Sequence, residues 1–340
     1  MGATGMVGQQ FVRFLEGHPW FKLTWVGASD RSAGKRYRDA VNWNLDGGVP
    51  ESVAGLTVQN CTPGNAPKLV FSAMDASVAG EIEQAFAGAG HFVVSNSRNH
   101  RMLADVPLLI PEVNADHLKL IPAQRKNHGW DGAIVTNPNC STITMVMGLA
   151  ALKPFGIKKV LASTMQAVSG AGYPGMPSMD ILGNVVPFIG SEEEKMESET
   201  HKILGDHDGG LIRPLDAKVS AHCNRVAVVD GHTVAVSVEL EQKTGVENLQ
   251  AAFQSFRGRP QERELPSAPK QPIHLLAEPD RPQPRKDSLR EGGMAVSVGR
   301  VRECPVLDYK FVVLGHNTIR GAAGAAVLNA ELMLSEGLLD

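Results

Sequence analysis

Three glycines in the first eight residues, Gly2-Ala-Thr-Gly5-Met-Val-Gly8, open onto Gln9–Glu16, where Phe11, Val12, Phe14 and Leu15 recur at helical spacing. Glycines at such intervals let a backbone turn tightly and approach a pyrophosphate at a helix N-terminus, where unpaired N–H groups and the helix dipole favour an anion. The neighbouring segment makes the pattern constraining. Leu23-Thr-Trp-Val-Gly-Ala28 reads as a strand, and Ser29-Asp30-Arg31-Ser32 stands just past it. In a dinucleotide fold that place reads the ribose, an acidic residue favouring NAD and an arginine accommodating the 2′-phosphate of NADP. Asp30 and Arg31 pull opposite ways; two hydroxyls and a guanidinium together make a phosphate site, so NADP is expected.

The pattern continues as strand, helix, strand. Lys68–Ala73, helical Ala76–Ala87 and His91–Ser95 alternate as in a parallel sheet covered by helices. Arg98 and Arg101 lie in the loop after the last of these strands, where ligands of parallel sheets bind, and are candidate anion ligands. Residues 122–132 read as an exposed loop. Gly132-Ala-Ile-Val-Thr136 reads as a further strand, broken by Asn137-Pro138-Asn139. Ser141–Leu152, rich in Met, Leu, Ala and Ile and stopped by Pro154 and Gly156, reads as a buried helix.

Cys140 therefore falls in the first turn of that helix. Unpaired N–H groups and the positive helix end are expected to lower its thiol pKa, and the same N–H groups suit an oxyanion. The bland alternative is a small core residue, against which stand the flanking cap and turn residues Asn137-Pro-Asn139 and Ser141-Thr142.

After Pro154 longer β runs replace the alternation: Ile157–Val168, Lys218–Val229, His232–Leu240, Gly293–Val301 and Val306–Leu314 suggest a mixed or antiparallel sheet. Between them lie a flexible Gly-rich loop, Ser169–Gly175, and a charged helix, Glu192–Leu204. Glu262–Arg290, with many Pro and charged residues, reads as a surface excursion. The small-residue run from Thr318 reads as a helix that returns to the first half. At 340 residues two domains are the default. The division expected is 1–139, completed by 318–340, and 140–317. The fold class is α/β: a Rossmann-like dinucleotide-binding domain plus an α+β catalytic and dimerisation domain with a mixed β-sheet.

A net charge of −3 offers no field for nucleic acid or an anionic membrane, so a small-molecule partner is expected. No apolar run approaches the roughly 18–20 residues that span a bilayer, and no signal peptide opens the chain. Cys61, Cys140, Cys223 and Cys304 are scattered, without the spacing of a metal or disulfide framework, which fits a reducing cytoplasmic setting.

A nucleophilic thiol beside a dinucleotide suggests a thioacyl enzyme whose acyl group accepts hydride from NADPH, or the reverse oxidation of an aldehyde. Such chemistry needs a proton shuttle. His222 and His232 stand out, beside Asn224-Arg225 and Asp230-Gly231. A two-residue turn at Asp230-Gly231 would put Arg225 and His232 four positions apart, about 13 Å at roughly 3.3 Å per residue. A wider connection, Val226–Gly231, would make them cross-strand neighbours, and that arrangement is expected.

The motifs in order, Gly2–Gly8, Ser29-Asp-Arg-Ser-Ala-Gly-Lys35, Asn137-Pro-Asn-Cys140, Gln166 with Ser169-Gly-Ala-Gly172, Glu192–Lys195, Asn224-Arg225, Asp230-Gly-His-Thr233 and Gly315-His-Asn-Thr318, span nearly the whole chain. Together they resemble aspartate-semialdehyde dehydrogenase of the archaeal and fungal branch. The resemblance implies NADPH-dependent reduction of β-aspartyl phosphate to the semialdehyde and phosphate, in the route to threonine and methionine. It makes Cys140 the acyl-accepting nucleophile, His232 rather than His222 the acid and base, and Gln166 the group that orients the acyl. Arg225 would clamp the substrate carboxylate, Glu192 meet its ammonium, and Arg101 and Lys195 hold the phosphate, with Asn139 alongside. Gly2, Thr4, Gly5, Met6, Val7, Ser29, Arg31, Ser32 and Ser72 would hold the cofactor, and Ser169, Gly170 and Asn317 its nicotinamide end. No metal is implied, and a homodimer or tetramer is. The alternatives are a related acyl reductase of malonyl-CoA or N-acetylglutamyl-phosphate type, and a cysteine acyl transferase or hydrolase without redox use.

Members of the family begin with an apolar β run ahead of the glycine turn, whereas only Met1 precedes Gly2 here. The first strand is therefore expected to be missing and the glycine loop to lack its anchor.

Overall fold

The structure, a computed structural model, describes residues 1–339. Gly2 takes a φ of +72°, and a Cβ there would stand 2.6 Å from the carbonyl oxygen of Ala73. One on Gly8 would stand 2.2 Å from the carbonyl oxygen of Gly2. Only glycine fits a turn this close to neighbouring backbone. Helix α1 (Met6–Leu15) leaves the turn and buries Phe11, Val12 and Leu15.

Parallel strands come next: β1 (Val26–Ala28) pairs with β2 (Val58–Asn60), while β3 (Leu69–Ser72), β4 (Phe92–Ser95) and β5 (Ala133–Thr136) form a second ladder in that order. Both β4 and β5 are buried throughout, as strands covered on two faces are. Helix α2 (Ala76–Gly88) connects β3 to β4, capped by Asp75, whose side chain accepts from the Ser77 N–H.

The expectation of an unanchored glycine loop is corrected in part. Met1 and Ala3 lie between β1 and β3 and bond to both. The Met1 ammonium donates to Phe71 O (2.6 Å), Met1 O accepts from Ala73 N (3.0 Å), and Ala3 N donates to Gly27 O (3.0 Å). Beyond Met1 the two edges diverge around an apolar cavity of about 200 Å³, lined by Phe11, Leu15, Leu23, Val26, Leu69 and Phe71. The segment read as an exposed loop at 122–132 is also corrected: Ile121–His128 is helical and ends at Gly129 with φ of 67°. Its buried Gln124 bonds both N–H and C=O of Ile134, which a reading of polarity alone misses.

Helix α3 (Cys140–Leu152) is buried from Ser141 to Leu152 and shares a core with the strands of the second half, including Val234, Val236, Phe311 and Val313. Beyond it β6 (Ile157–Gln166), the short β7 (Val185–Val186), β8 (Lys218–Val226), β9 (His232–Leu240), β10 (Ile273–Leu276), β11 (Val296–Glu303) and β12 (Tyr309–Gly315) make one mixed sheet, in spatial order β10-β11-β12-β9-β6-β8-β7 among the described residues. Helix α4 (Glu192–Ile203) packs on it. The 262–290 excursion therefore supplies an edge strand, β10, as well as surface.

The expected pairing of β8 with β9 is not found. Both pair with β6, β8 parallel with Arg225 opposite Gln166 and β9 antiparallel with Thr233 opposite Met165. Residues 227–231 cross the end of β6, where the N–H groups of Val168 and Ser169 donate to the carbonyls of Val228 and Val229. Arg225 and His232 thus flank Gln166 instead of facing each other, their backbones two interstrand spacings or about 10 Å apart while their side chains converge on Ala167.

After β12 the chain makes a π-turn, Ile319–Ala323, and helix α5 (Gly324–Ser335), which is buried on all sides from Gly324 to Met333. Val327, Leu328 and Leu332 join Phe11, Leu15, Phe92 and Val94 in one core, so the chain's end packs into its beginning. The final residue of the expected 318–340 segment, Asp340, lies outside the described residues.

Candidate functional site

A cleft of about 460 Å³ opens where the carboxyl ends of β3, β4 and β5 meet the loops of the mixed sheet, a size and position that suit a small-molecule ligand. Met6 and Val7 line it from the glycine turn, Arg101 from the loop after β4, and Asn139 and Cys140 from the start of α3. Ser169, Gly170, Lys195 and Asn317 close the other side.

Asn139 builds the start of α3. Its Oδ1 accepts from the N–H groups of Ser141 (2.9 Å) and Thr142 (3.2 Å), satisfying two of the helix's orphan donors. Its Nδ2 donates to both carboxylate oxygens of Glu192, 2.9 Å each, and Glu192 pairs with Lys195 at 3.0 Å. Cys140 lines the cleft as a partly exposed residue. Its pKa is nevertheless pushed up to about 12, by packing around the sulfur first and by Glu192 second, while Arg225, Arg101 and the Ser141 N–H pull the other way. The expectation of a thiol lowered by its helix end is thereby corrected for the ligand-free site. Desolvation of the thiolate outweighs the N–H groups and the dipole.

A second cluster sits at the end of β6. The N–H of Ala167 donates to His232 Nδ1 (3.1 Å), and the Ala167 carbonyl accepts from Arg225 Nη1 (2.8 Å). The main chain of one residue thus orients both side chains. His232 is fully buried, and burial with the neighbouring Arg225 and His316 lowers its pKa to about 3. With Nδ1 accepting, the neutral ring carries its proton on Nε2, an atom without a hydrogen-bond partner among the described residues. Gly170 covers this cluster: a Cβ there would lie 2.8 Å from Arg225 Nη1 and 3.1 Å from His232 Nε2. Gln166, buried beside them, donates to Thr164 Oγ1 at 3.3 Å. Asn317 bridges the cluster to the cleft, donating to Ser169 Oγ and accepting from the Gly231 N–H, each at 2.8 Å. His222, exposed, lines a groove on the opposite face of the sheet.

Not every expected residue reaches the cleft. Ser72 is fully buried beside the carboxylate of Glu83, which Ser95 also bonds at 2.7 Å. Gly2, Thr4 and Gly5 shape the turn and the N-terminus of α1. Ser29, Arg31 and Ser32 occupy a tight turn just past β1, with the N–H of Ser32 donating to the Ser29 carbonyl at 2.8 Å. Of the two arginines after β4, Arg98 is exposed while Arg101 is buried.

Two buried residues escaped the reading of the sequence. Glu199 pairs with Arg101 (2.8 Å) and accepts the Asn139 N–H (2.7 Å). Lys202 donates to the carbonyls of Arg101, Leu103 and Val106 at 2.6–2.7 Å. The signal was available: Glu192, Lys195, Glu199 and Lys202 keep the i, i+3, i+7, i+10 spacing of one helix face.

A parallel nucleotide-type sheet joined to a mixed sheet around a capped thiol defines the semialdehyde dehydrogenase class. Family models agree, the semialdehyde dehydrogenase NAD binding domain matching residues 1–121 and the semialdehyde dehydrogenase dimerisation domain residues 148–320. The aspartate-semialdehyde dehydrogenase of Archaeoglobus fulgidus is 49% identical over 340 residues, 100% of this chain and 98% of that protein. That of Saccharomyces cerevisiae is 46% identical over 356 residues, again 100% and 98%. The crystal structure of the Candida albicans enzyme with NADP superposes with a TM-score of 0.91 at 42% identity, covering 99% of this chain and 98% of that one. The chain belongs to the aspartate-semialdehyde dehydrogenase family.

Proposed function

We propose that the protein is an NADP-dependent enzyme that reductively dephosphorylates β-aspartyl phosphate to aspartate semialdehyde, and runs the phosphorylating oxidation in reverse. The observation that carries this reading is the division of charge around Cys140, with Arg101 and Lys195 lining the cleft and Glu192 and Arg225 close enough to perturb the thiol. A phosphate, a carboxylate and an ammonium each find a partner of opposite sign. Neither a thioester nor an N-acetylated substrate presents an ammonium to Glu192.

Cys140 attacks the acyl carbon, phosphate leaves toward Arg101 and Lys195, and a thioester to Cys140 remains. The thiol proton passes to the departing phosphate as the thioester forms, so that hydrogen phosphate is the group Arg101 and Lys195 hold. Gln166 orients the acyl oxygen, and the start of α3, its Ser141 and Thr142 N–H groups held by Asn139, lends the positive end of its dipole to the developing oxyanion. His232 acts as acid and base through Nε2, sharing that proton with the acyl oxygen as negative charge develops there and keeping it as the charge is lost, while Ala167 holds Nδ1. Arg225 binds the α-carboxylate through its planar fork, and Asn139 keeps Glu192 turned to the ammonium.

The residues present fit the dinucleotide: Gly2 and Gly8 leave no room for side chains in the turn, and Ser29, Arg31 and Ser32 lie one strand away for the 2′-phosphate. Gly5, Met6 and Val7 would meet the pyrophosphate, Thr4 would support them, and Ser169, Gly170 and Asn317 would meet the nicotinamide. When bound, the nicotinamide supplies the hydride that reduces the acyl group. We assign residues 1–139 with 318–340 to cofactor binding and 140–317 to catalysis and association. Leu161 and Met165, exposed on the mixed sheet, support a homodimer or tetramer through that face. A cytoplasmic location accords with four unpaired cysteines.

The test is phosphate-dependent reduction of NADP with aspartate semialdehyde by the purified protein. Turnover that requires all three supports the reading, and no rate above background in folded protein overturns it.

A further inference from the structure

We infer that Glu199 is a positioning residue through which the phosphate site and the nucleophile are set together. The inference rests on the proposed reaction for the identity of the anion, and on geometry for the rest. One buried carboxylate, 2% exposed, spends its two oxygens on two different parts of the site. Oε1 holds Arg101 Nη1 at 2.8 Å, and Oε2 holds the main-chain N–H of Asn139 at 2.7 Å, the residue immediately before the thiol. Arg101 is fixed from its far side as well, Nη2 donating to Asn96 O at 2.8 Å, while its buried Nε has no partner among the described residues. Lys202, one turn further along the same face of α4, ties down the Arg101 main chain.

Simple electrostatics argues against an acid here. A carboxylate beside an arginine that binds phosphate partly cancels its charge and repels the incoming dianion. Placement answers the objection. An arginine has several side-chain rotations to lose, and a two-point hold on its guanidinium fixes it at the wall of the cleft that Arg101 lines. The same carboxylate fixes Asn139, whose side chain caps α3 and meets Glu192. Movement at the phosphate end is thereby felt at Cys140.

The two accounts predict opposite signs. If Glu199 merely lowers the local charge, Glu199→Gln tightens phosphate and Glu199→Asp, which keeps the charge, changes nothing. If it positions Arg101, both variants weaken phosphate, Gln because its amide nitrogen cannot accept and Asp because its shorter arm cannot reach both donors. The loss expected is about tenfold or more in KM for phosphate, in keeping with a broken hydrogen bond to a charged group. The KM for aspartate semialdehyde should move far less. Glu194→Gln, on the exposed side of the same helix, should leave both constants alone.

The experiment measures both KM values in the phosphorylating oxidation for wild type, E199Q, E199D and E194Q. It adds the protection of Cys140 by inorganic phosphate against iodoacetamide, which requires no turnover. Raised phosphate KM with weakened protection in E199Q and E199D supports the proposal. Unchanged or lower KM with full protection overturns it, although the wild-type activity stands. If wild type is inactive, the reading of the reaction fails separately, and protection alone decides on Glu199: lost in E199D it upholds the coupling, retained it refutes it. If E199Q does not fold, E199D decides by the same criteria.

Discussion

Cys140 and His232 both rest in neutral form, for one reason. His232 is fully buried and Cys140 largely so, and an ion at either place forfeits hydration that nearby charges do not restore. With the Cys140 pKa near 12 the thiolate is scarce at neutral pH. Alkylation by iodoacetamide in the ligand-free protein should therefore rise about tenfold per pH unit from pH 7 to 9, tracking the thiolate fraction. A plateau with its midpoint below pH 8 would show that the helix end prevails after all. Glu192→Gln should accelerate the reaction at every pH in this range, because Glu192 is the nearby charge that opposes ionisation. The histidines offer a second contrast. His232→Asn should lower turnover by roughly 10² to 10⁴, the worth of positioned acid–base catalysis, with little change in KM. His222→Asn should do much less, since His222 is exposed on the other face of the sheet. The reverse ranking in a steady-state assay would remove His232 from its assigned role.

At the scale of elements, the site depends on strand order and on one helix face. Placing β6 between β8 and β9 lets the main chain of Ala167 hold Arg225 with its carbonyl and His232 with its N–H. Arg225→Lys should therefore be severe. A lysine keeps the charge but cannot both hold Ala167 O and present a planar pair of donors to a carboxylate. Arg101→Lys should be milder, because phosphate accepts a point charge, and its effect should fall mainly on phosphate. Comparing kcat/KM for the two variants at fixed and varied phosphate tests this, and equal losses would undo the assignment of different ligands to them. Sequence reading found most of these elements because their signals are local. Apolar runs bounded by Gly and Pro marked β3, β4, β5, β6 and β9, and Asn139 before an apolar run marked α3. It missed Ile121–His128, whose polar surface hides a buried Gln124 bound to β5.

At the scale of the molecule, Met1 and Ala3 bridge the two parts of the N-terminal sheet. The Met1 ammonium is buried, and that burial lowers its pKa. Past it lies the apolar cavity between β1 and β3. Adding about eight apolar residues before Met1, an ordinary strand length, should fill that space, remove a buried charge and stiffen the glycine turn. NADPH should then bind more tightly by isothermal titration, while the alkylation rate of Cys140 stays the same. Equal dissociation constants in the two proteins would mean that two bridging residues anchor the turn sufficiently.

The sequence by itself determined the alternation of strand and helix, the glycine turn and the capped thiol, since each is written in neighbouring residues or in a recurring motif. Only the tertiary structure decided that Arg225 and His232 flank Gln166, that Glu199 and Lys202 join the site, and that Cys140 is neutral at rest. Strand order is set by which apolar faces pack together across many residues, and a pKa by how much water the finished packing excludes. Neither quantity exists until distant segments meet.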